Sequence, residues 1–216
     1  MKIKICGINN FEDLQSCIKA GADALGFLVG LTHPAEDKLE DIRLAKSLID
    51  RIPPFVSTVM VTHLTNEGEI VNLARCMGTT SVQINDYTEP SVLKKVCDGL
   101  KDIKIIKSVH VTGSDAIELT KAYLPFADAI LLDSREGPRI GGTGKTHDWE
   151  ISRKIVQESN KPVILAGGLN PGNVYEAVKK VQPFAVDVNS GVETNFRKDP
   201  AKINLFINEA RRAFVT

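Results

Sequence analysis

Apolar residues in this chain come in short runs, and the stretches between the runs carry their apolar positions at helical spacing. The runs at 3–6, 24–29, 55–61, 81–84, 104–109, 129–133, 163–166 and 185–188 are rich in Val, Ile and Leu and too short for buried helices, so each predicts a strand. Residues able to cap a helix precede the intervening segments. Asn10 stands before a helix predicted at 11–20, Thr65 before 66–77, Thr88 before 89–100 and Asp148 before 149–159. Gly21 and Gly78 stop two of these, Pro171 suits the first turn after Asn170, and a last helix is predicted at 200–214.

Regular strand-helix alternation predicts parallel βα units. A barrel of eight such units usually takes roughly 250 residues, so 216 residues are filled by one domain spanning 1–216. An open doubly wound sheet uses the same grammar. Two features favour closure: the strands are short and alike in length, and Gly7 stands alone after the first strand, where a dinucleotide fold needs a glycine-rich fingerprint. The expected fold is α/β, a single (β/α)8 TIM barrel.

In that fold the active residues leave the C-terminal ends of the strands. Alternation puts Lys4 and Cys6 on one side of the first strand and Ile3 and Ile5 on the other. An ammonium beside a thiol favours the thiolate, which makes Cys6 a candidate base; the alternative is a small inert barrel filler. Asp133 ends the sixth strand, either as a general acid or substrate ligand or as the cap of the next turn. Residues 166–171 and 189–193 follow strands seven and eight, and their glycines allow an anion to approach backbone N–H groups, at the usual phosphate position of a TIM barrel. Gly144-Lys145-Thr146 resembles the end of a nucleotide-binding loop, but the glycine required five residues before Gly144 is Arg139.

Charge removes other classes. Lys+Arg and Asp+Glu are balanced at 27 each, which gives nucleic acid or an anionic membrane nothing to select. No apolar run approaches the roughly 20 residues of a membrane span, and no signal peptide is read at the start, so a cytoplasmic protein is expected. The four cysteines form no CxxC pair, and Cys17, Cys76 and Cys97 are read as small apolar residues on buried helix faces. The four histidines sit on different units without metal-ligand spacing, and His63, leaving strand three, is the one placed near the mouth. Trp149 is read as a core anchor.

Five strings stand in order on five units: Lys4-Ile5-Cys6-Gly7-Ile8, Leu132-Asp133-Ser134, Gly141-Gly142-Thr143-Gly144 with Asp148-Trp149, Ala166-Gly167-Gly168-Leu169-Asn170-Pro171-Gly172-Asn173-Val174, and Val186-Asp187-Val188-Asn189-Ser190-Gly191-Val192-Glu193. Together they resemble the phosphoribosylanthranilate isomerase family of tryptophan biosynthesis, over nearly the whole chain. The resemblance implies a cofactor-free, metal-free Amadori rearrangement of N-(5-phosphoribosyl)anthranilate to 1-(2-carboxyphenylamino)-1-deoxyribulose 5-phosphate. It implies Asp133 as the acid that protonates the furanose oxygen and Cys6 as the base that removes the C2 proton. Gly142, Gly167, Gly168, Asn189, Ser190 and Gly191 would hold the phosphate, and Lys4, Gln83 and Asp187 would meet the rest of the substrate. The implied partner is this small molecule alone, with no nucleic acid or membrane, on a monomer or homodimer.

Departures gather on the amine side. The family's Ser-Pro-Arg-like stretch after strand two, whose arginine meets the anthranilate carboxylate, reads Thr32-His33-Pro34-Ala35-Glu36-Asp37 here, and its Gln-Leu-His-Gly after strand four reads Gln83-Ile84-Asn85-Asp86. Arg43, Arg135 and Arg139 are the alternative cations. The alternative functions are the same step on a different phosphoribosyl amine, or phosphosugar binding without catalysis. Both Cys6 and Asp133 are kept, which a pure binder does not need.

Overall fold

The computed structural model describes residues 1–31, 38–39, 41–136, 139–140 and 146–215. Their eight parallel strands close on themselves: β1 (Lys2–Ile5), β2 (Ala24–Leu28), β3 (Ser57–Thr62), β4 (Ser81–Ile84), β5 (Lys104–His110), β6 (Ala129–Asp133), β7 (Val163–Leu165) and β8 (Ala185–Val188). Neighbours follow chain order, and β1 shuts the barrel against β8 from Lys2↔Ala185 to Ile5↔Val188. Eight helices surround them: α1 (Phe11–Ala20), α2 (Ile42–Ile49), α3 (Glu67–Met77), α4 (Pro90–Gly99), α5 (Asp115–Tyr123), α6 (Trp149–Glu158), α7 (Val174–Val181) and α8 (Pro200–Val215). None of the described helices is long and apolar enough to cross a membrane.

Alternation along each strand divides the core in two. Outward residues such as Ile3, Ile5, Val82, Ile84, Ile130 and Leu132 pack under the helices. Inward residues, among them Val59, Val61, Ile106, Leu131, Ile164 and Ala166, fill the barrel together with Cys6. Barrel filling therefore stops at one end, where the inward positions become Lys4, Gln83, Ser108, Asp133 and Asp187. That end is the mouth.

Local signals hold where a side chain meets the backbone it was expected to meet. Asn10 and Asp148 cap α1 and α6, accepting from the N–H groups of Asp13 and Glu150, and Gly21 and Gly78 end α1 and α3 in the left-handed region. Elsewhere the structure shifts the boundary. Asn66, one residue after Thr65, caps α3 by accepting from Glu69 N–H, and α4 has no side-chain cap, because the Thr88 hydroxyl donates to the Asp86 carbonyl instead. α7 starts at Val174, since Asn170 and Asn173 tie the preceding turn into a loop of its own. Phe55 does not open β3; it stands fully exposed at φ 73°. Of the three helix cysteines only Cys17 is buried, while Cys76 is exposed.

Candidate active site

Lys4 is the centre of the mouth's charge. It is 3% exposed and donates to Asp187 Oδ2 at 2.8 Å from the neighbouring strand. Burial alone pushes its ammonium toward deprotonation; the charge of Asp187 and that of Cys6, with a hydrogen bond to each, outweigh it and leave the Lys4 pKa above the ordinary lysine value. The pair is costly to disturb. Removing one member strands the other charge in the interior, at roughly 3–5 kcal/mol.

Asp133 faces this pair from β6. Protein packed around its carboxyl raises its pKa to about 7, with the negative charge of Asp187 adding to the rise; the Ser134 N–H, donating to Oδ1 at 2.7 Å, and the Lys4 ammonium act the other way. A carboxylic acid near pH 7 can give up a proton and take it back, the property required of a general acid. Cys6, 6% exposed, shares the Lys4 ammonium with Asp187.

The position of the sulfur depends on a residue with no side chain. A Cβ on Gly26 of β2 would stand 2.7 Å from Cys6 Sγ, 3.1 Å from Lys4 Cε and 3.2 Å from the Cys6 Cα. Gly26→Ala is therefore expected to fold, by far-UV circular dichroism, and to displace the thiol. Since a misplacement of about 1 Å can cost on the order of 10²-fold in rate, kcat should fall about tenfold or more; an unchanged kcat would show that the thiol tolerates displacement.

The polar groups suited to sugar hydroxyls are ordered by their neighbours. Gln83 Nε2 and Ser108 Oγ both donate to Asn85 Oδ1 at 2.7 Å, which turns Asn85 Nδ2 toward His63 Nε2 at 3.3 Å, while His63 Nδ1 lies 3.9 Å from Asp86 Oδ2. Gln83 Oε1 and Asp187 Oδ1 are buried acceptors without a hydrogen-bond partner among the described residues. Both fit a substrate hydroxyl, which donates.

The two glycine loops lock together beside these groups. Gly167 and Gly168 have φ of 80° and 65°, and a Cβ on Gly167 would run into the Ser134 backbone and hydroxyl. A Cβ on Gly191 would run into the Leu169 carbonyl. Asn189 is held from beneath, its Oδ1 accepting from the buried Lys198 ammonium at 2.6 Å, and Ser190–Val192 form one 3-10 turn. Residues 141–145, with Gly142, and residues 32–37, with Ala35, lie outside the described residues.

The structure therefore gathers Lys4, Cys6, Gln83, Asp133 and Asp187 in one mouth, with Gly167, Gly168 and Asn189 to Gly191 in adjoining loops. Sequence reasoning missed three features. Gly26 lies inside the strand predicted at 24–29 and was given no role there. His147, in the loop before α6, bridges Ser134 Oγ at 3.2 Å and Ser152 Oγ at 2.6 Å, and burial brings its pKa down to about 4. Lys107 is buried on the outer face of β5, its ammonium donating to the carbonyls of Ile84, Asp86 and Ser108 and lying 5.0 Å from the Tyr123 ring. A charged residue among the outward apolar positions of a strand was the available signal. Among the described residues no group of three or more His, Cys, Asp or Glu side chains is placed to hold a metal ion.

Comparison with known proteins gives one family. A model described as N-(5'phosphoribosyl)anthranilate (PRA) isomerase matches residues 3–209. N-(5'-phosphoribosyl)anthranilate isomerase 2 of Methanosarcina mazei is 42% identical, over 99% of this chain and 96% of its own. The crystal structure of phosphoribosyl anthranilate isomerase from Thermotoga maritima superposes with a TM-score of 0.86 at 33% identity, covering 98% of this chain and 99% of the other. A solved complex of such an isomerase with reduced 1-(o-carboxyphenylamino)-1-deoxyribulose 5-phosphate gives 0.81 at 31% identity, with 98% and 99% coverage.

Proposed function

The chain belongs to the N-(5'-phosphoribosyl)anthranilate isomerase family, and we propose that it performs the family's Amadori rearrangement with Asp133 as general acid and Cys6 as general base. The enzyme is an aldose-ketose isomerase that converts N-(5'-phosphoribosyl)anthranilate to 1-(2-carboxyphenylamino)-1-deoxyribulose 5-phosphate. Protonated Asp133 delivers its proton to the furanose ring oxygen as the C1–O bond breaks, and the nitrogen lone pair forms the C1=N bond of a protonated Schiff base. Cys6 thiolate then takes the C2 proton, and the C2–H electrons form C1=C2 while the C=N pair returns to nitrogen. The enolamine becomes the ketone by losing the 2-hydroxyl proton and gaining one at C1.

The observation that carries these roles is the shared ammonium. Lys4 is hydrogen-bonded to Cys6 and Asp187 and its charge reaches Asp133, so base, acid and a hydroxyl acceptor surround one buried cation. Gly142, Gly167, Gly168, Asn189, Ser190 and Gly191 hold the phosphate in this reading, and Gln83 and Asp187 accept from ribose hydroxyls. The test is loss of anthranilate fluorescence on freshly prepared phosphoribosylanthranilate. Turnover by wild type no faster than by Cys6 and Asp133 variants would overturn the assignment.

The reading places the enzyme in the cytoplasm, as a single barrel over 1–216 that assembles as a homodimer. Phe55 favours the dimer: it follows Pro53 and Pro54 on the loop between α2 and β3, at the end of the barrel opposite the mouth, and is wholly exposed at 103%. Sedimentation of Phe55→Ser is expected to show monomers where wild type shows dimers. Equal sedimentation of the two would remove Phe55 from the interface.

A further inference from the structure

The backbone of Asn85, just past the end of β4, is held from three directions. Its N–H donates to the Thr62 carbonyl at 2.9 Å, and its own carbonyl lies 3.2 Å from His110 Nε2. Behind the sheet, the Lys107 ammonium holds the carbonyls on either side of it, Ile84 at 3.1 Å and Asp86 at 2.8 Å. What remains to be set is the direction of the Asn85 amide. Gln83 and Ser108 stand on one side of it and His63 on the other, and all four residues are buried.

An amide has an accepting end and a donating end, so two arrangements close this network. In one, Asn85 Oδ1 accepts from Gln83 Nε2 and Ser108 Oγ, and Asn85 Nδ2 donates to His63 Nε2, which leaves Gln83 with its oxygen for the mouth. In the other, a proton on His63 Nε2 is donated to Asn85 Oδ1, the Asn85 amino group turns to Gln83 Oε1, and Gln83 shows its amino group instead. The location of one ring proton therefore decides between an acceptor and a donor on the β4 wall. Asp86 settles it. Its carboxylate lies 3.9 Å from His63 Nδ1, and a negative charge there draws the proton to Nδ1 and bares Nε2. Gln83, level with the inward Val61 and Ile106 in the strand register, is then left with a buried Oε1 that has no hydrogen-bond partner among the described residues.

We propose that His63 is a positioning residue: held as its Nδ1–H tautomer by Asp86, it orients Asn85 so that Gln83 presents its amide oxygen to a ribose hydroxyl of the substrate. The proposal rests on the reading above, in which Gln83 meets the ribose. Asn85 and Asp86 are the two residues in which this chain departs from Gln-Leu-His-Gly, so the relay belongs to this chain's own pattern.

The ring proton is read from a long-range proton–nitrogen spectrum of histidine-labelled, unliganded protein, with the His63 signals assigned by their loss in His63→Gln. Wild type should show His63 neutral, with its proton on Nδ1. Reduced 1-(2-carboxyphenylamino)-1-deoxyribulose 5-phosphate is then titrated calorimetrically into wild type, His63→Leu, His63→Gln, Gln83→Leu and the Gln83→Leu, His63→Leu double variant, with melting temperatures to verify folding. His63→Leu should bind about tenfold more weakly, near the upper range of one neutral hydrogen bond. His63→Gln should recover most of that loss, because its Oε1 can stand where the ring Nε2 stood. Adding His63→Leu to Gln83→Leu should cost nothing further, since the group that His63 positions is gone. A proton on His63 Nε2, or the same loss from His63→Leu with and without Gln83, overturns the proposal. Wild type that fails to bind the mimic overturns the substrate reading and the proposal together; in failure of the proposal alone, wild type binds the mimic and His63→Leu binds it equally well.

Discussion

Asp133→Asn is expected to lower kcat on phosphoribosylanthranilate by about 10²- to 10⁴-fold, the range that a positioned general acid contributes. The same change should make the protein more stable at alkaline pH. The Asp133 pKa is raised to about 7 in the folded chain, against about 4 in an unfolded one. Its protonated form is the one the mouth accommodates, so its contribution to stability is complete below about pH 4 and is lost as pH rises through about 7. Asparagine keeps an oxygen for the Ser134 N–H and carries no charge. Melting curves of the two proteins should nearly coincide at pH 4 and separate at pH 8, with the variant higher; a variant melting lower at pH 8 would contradict burial as the source of the shift. In wild type the same ionisation should give kcat/KM a descending limb near pH 7.

Cys6→Ser is expected to cost a comparable 10²- to 10⁴-fold, by a different route. Hydroxyl and thiol are close in size and Cys6 sits against Gly26, so the variant should fold. A serine hydroxyl remains protonated at neutral pH, whereas a thiol beside the Lys4 ammonium can supply the thiolate that takes the C2 proton. Ring opening through Asp133 does not need the sulfur. Substrate in deuterium oxide should therefore show wild type washing deuterium into C1 of the product, while Cys6→Ser binds the reduced product mimic as wild type does and forms product about 10²- to 10⁴-fold more slowly. Retention of more than a tenth of kcat would remove Cys6 as the base. Lys4 is a poorer probe, because truncating it strands Asp187 in the interior and loses fold and catalysis together.

Much of this site follows from position along the strands. Cys6 and Asp133 stand where a strand of a parallel barrel ends, and Lys4 lies two residues before Cys6, so period-two alternation sends Lys4 and Cys6 inward together. The phosphate loops were legible because glycine pairs followed two adjacent strands. The pairing beyond the end of β2 was not legible. Lys38 follows a run that departs from the family pattern, and nothing in its neighbours shows that its backbone pairs with Leu28. Phe55 looked like the start of a strand because it is apolar and precedes one; its left-handed φ and full exposure belong to a loop between Pro54 and Val56.

By itself the sequence determined the eightfold alternation, the closed fold and the side of each strand on which the acid and base lie, since these depend on local periodicity and chain order. Only the tertiary structure decided the ionic state of the mouth. Lys4 keeps its proton because Asp187, distant in sequence, lies across the β1–β8 seam at 2.8 Å, and Asp133 holds its own to about pH 7 because barrel closure packs protein around its carboxyl. Desolvation and Coulomb energy depend on distance and packing, which chain order alone does not contain.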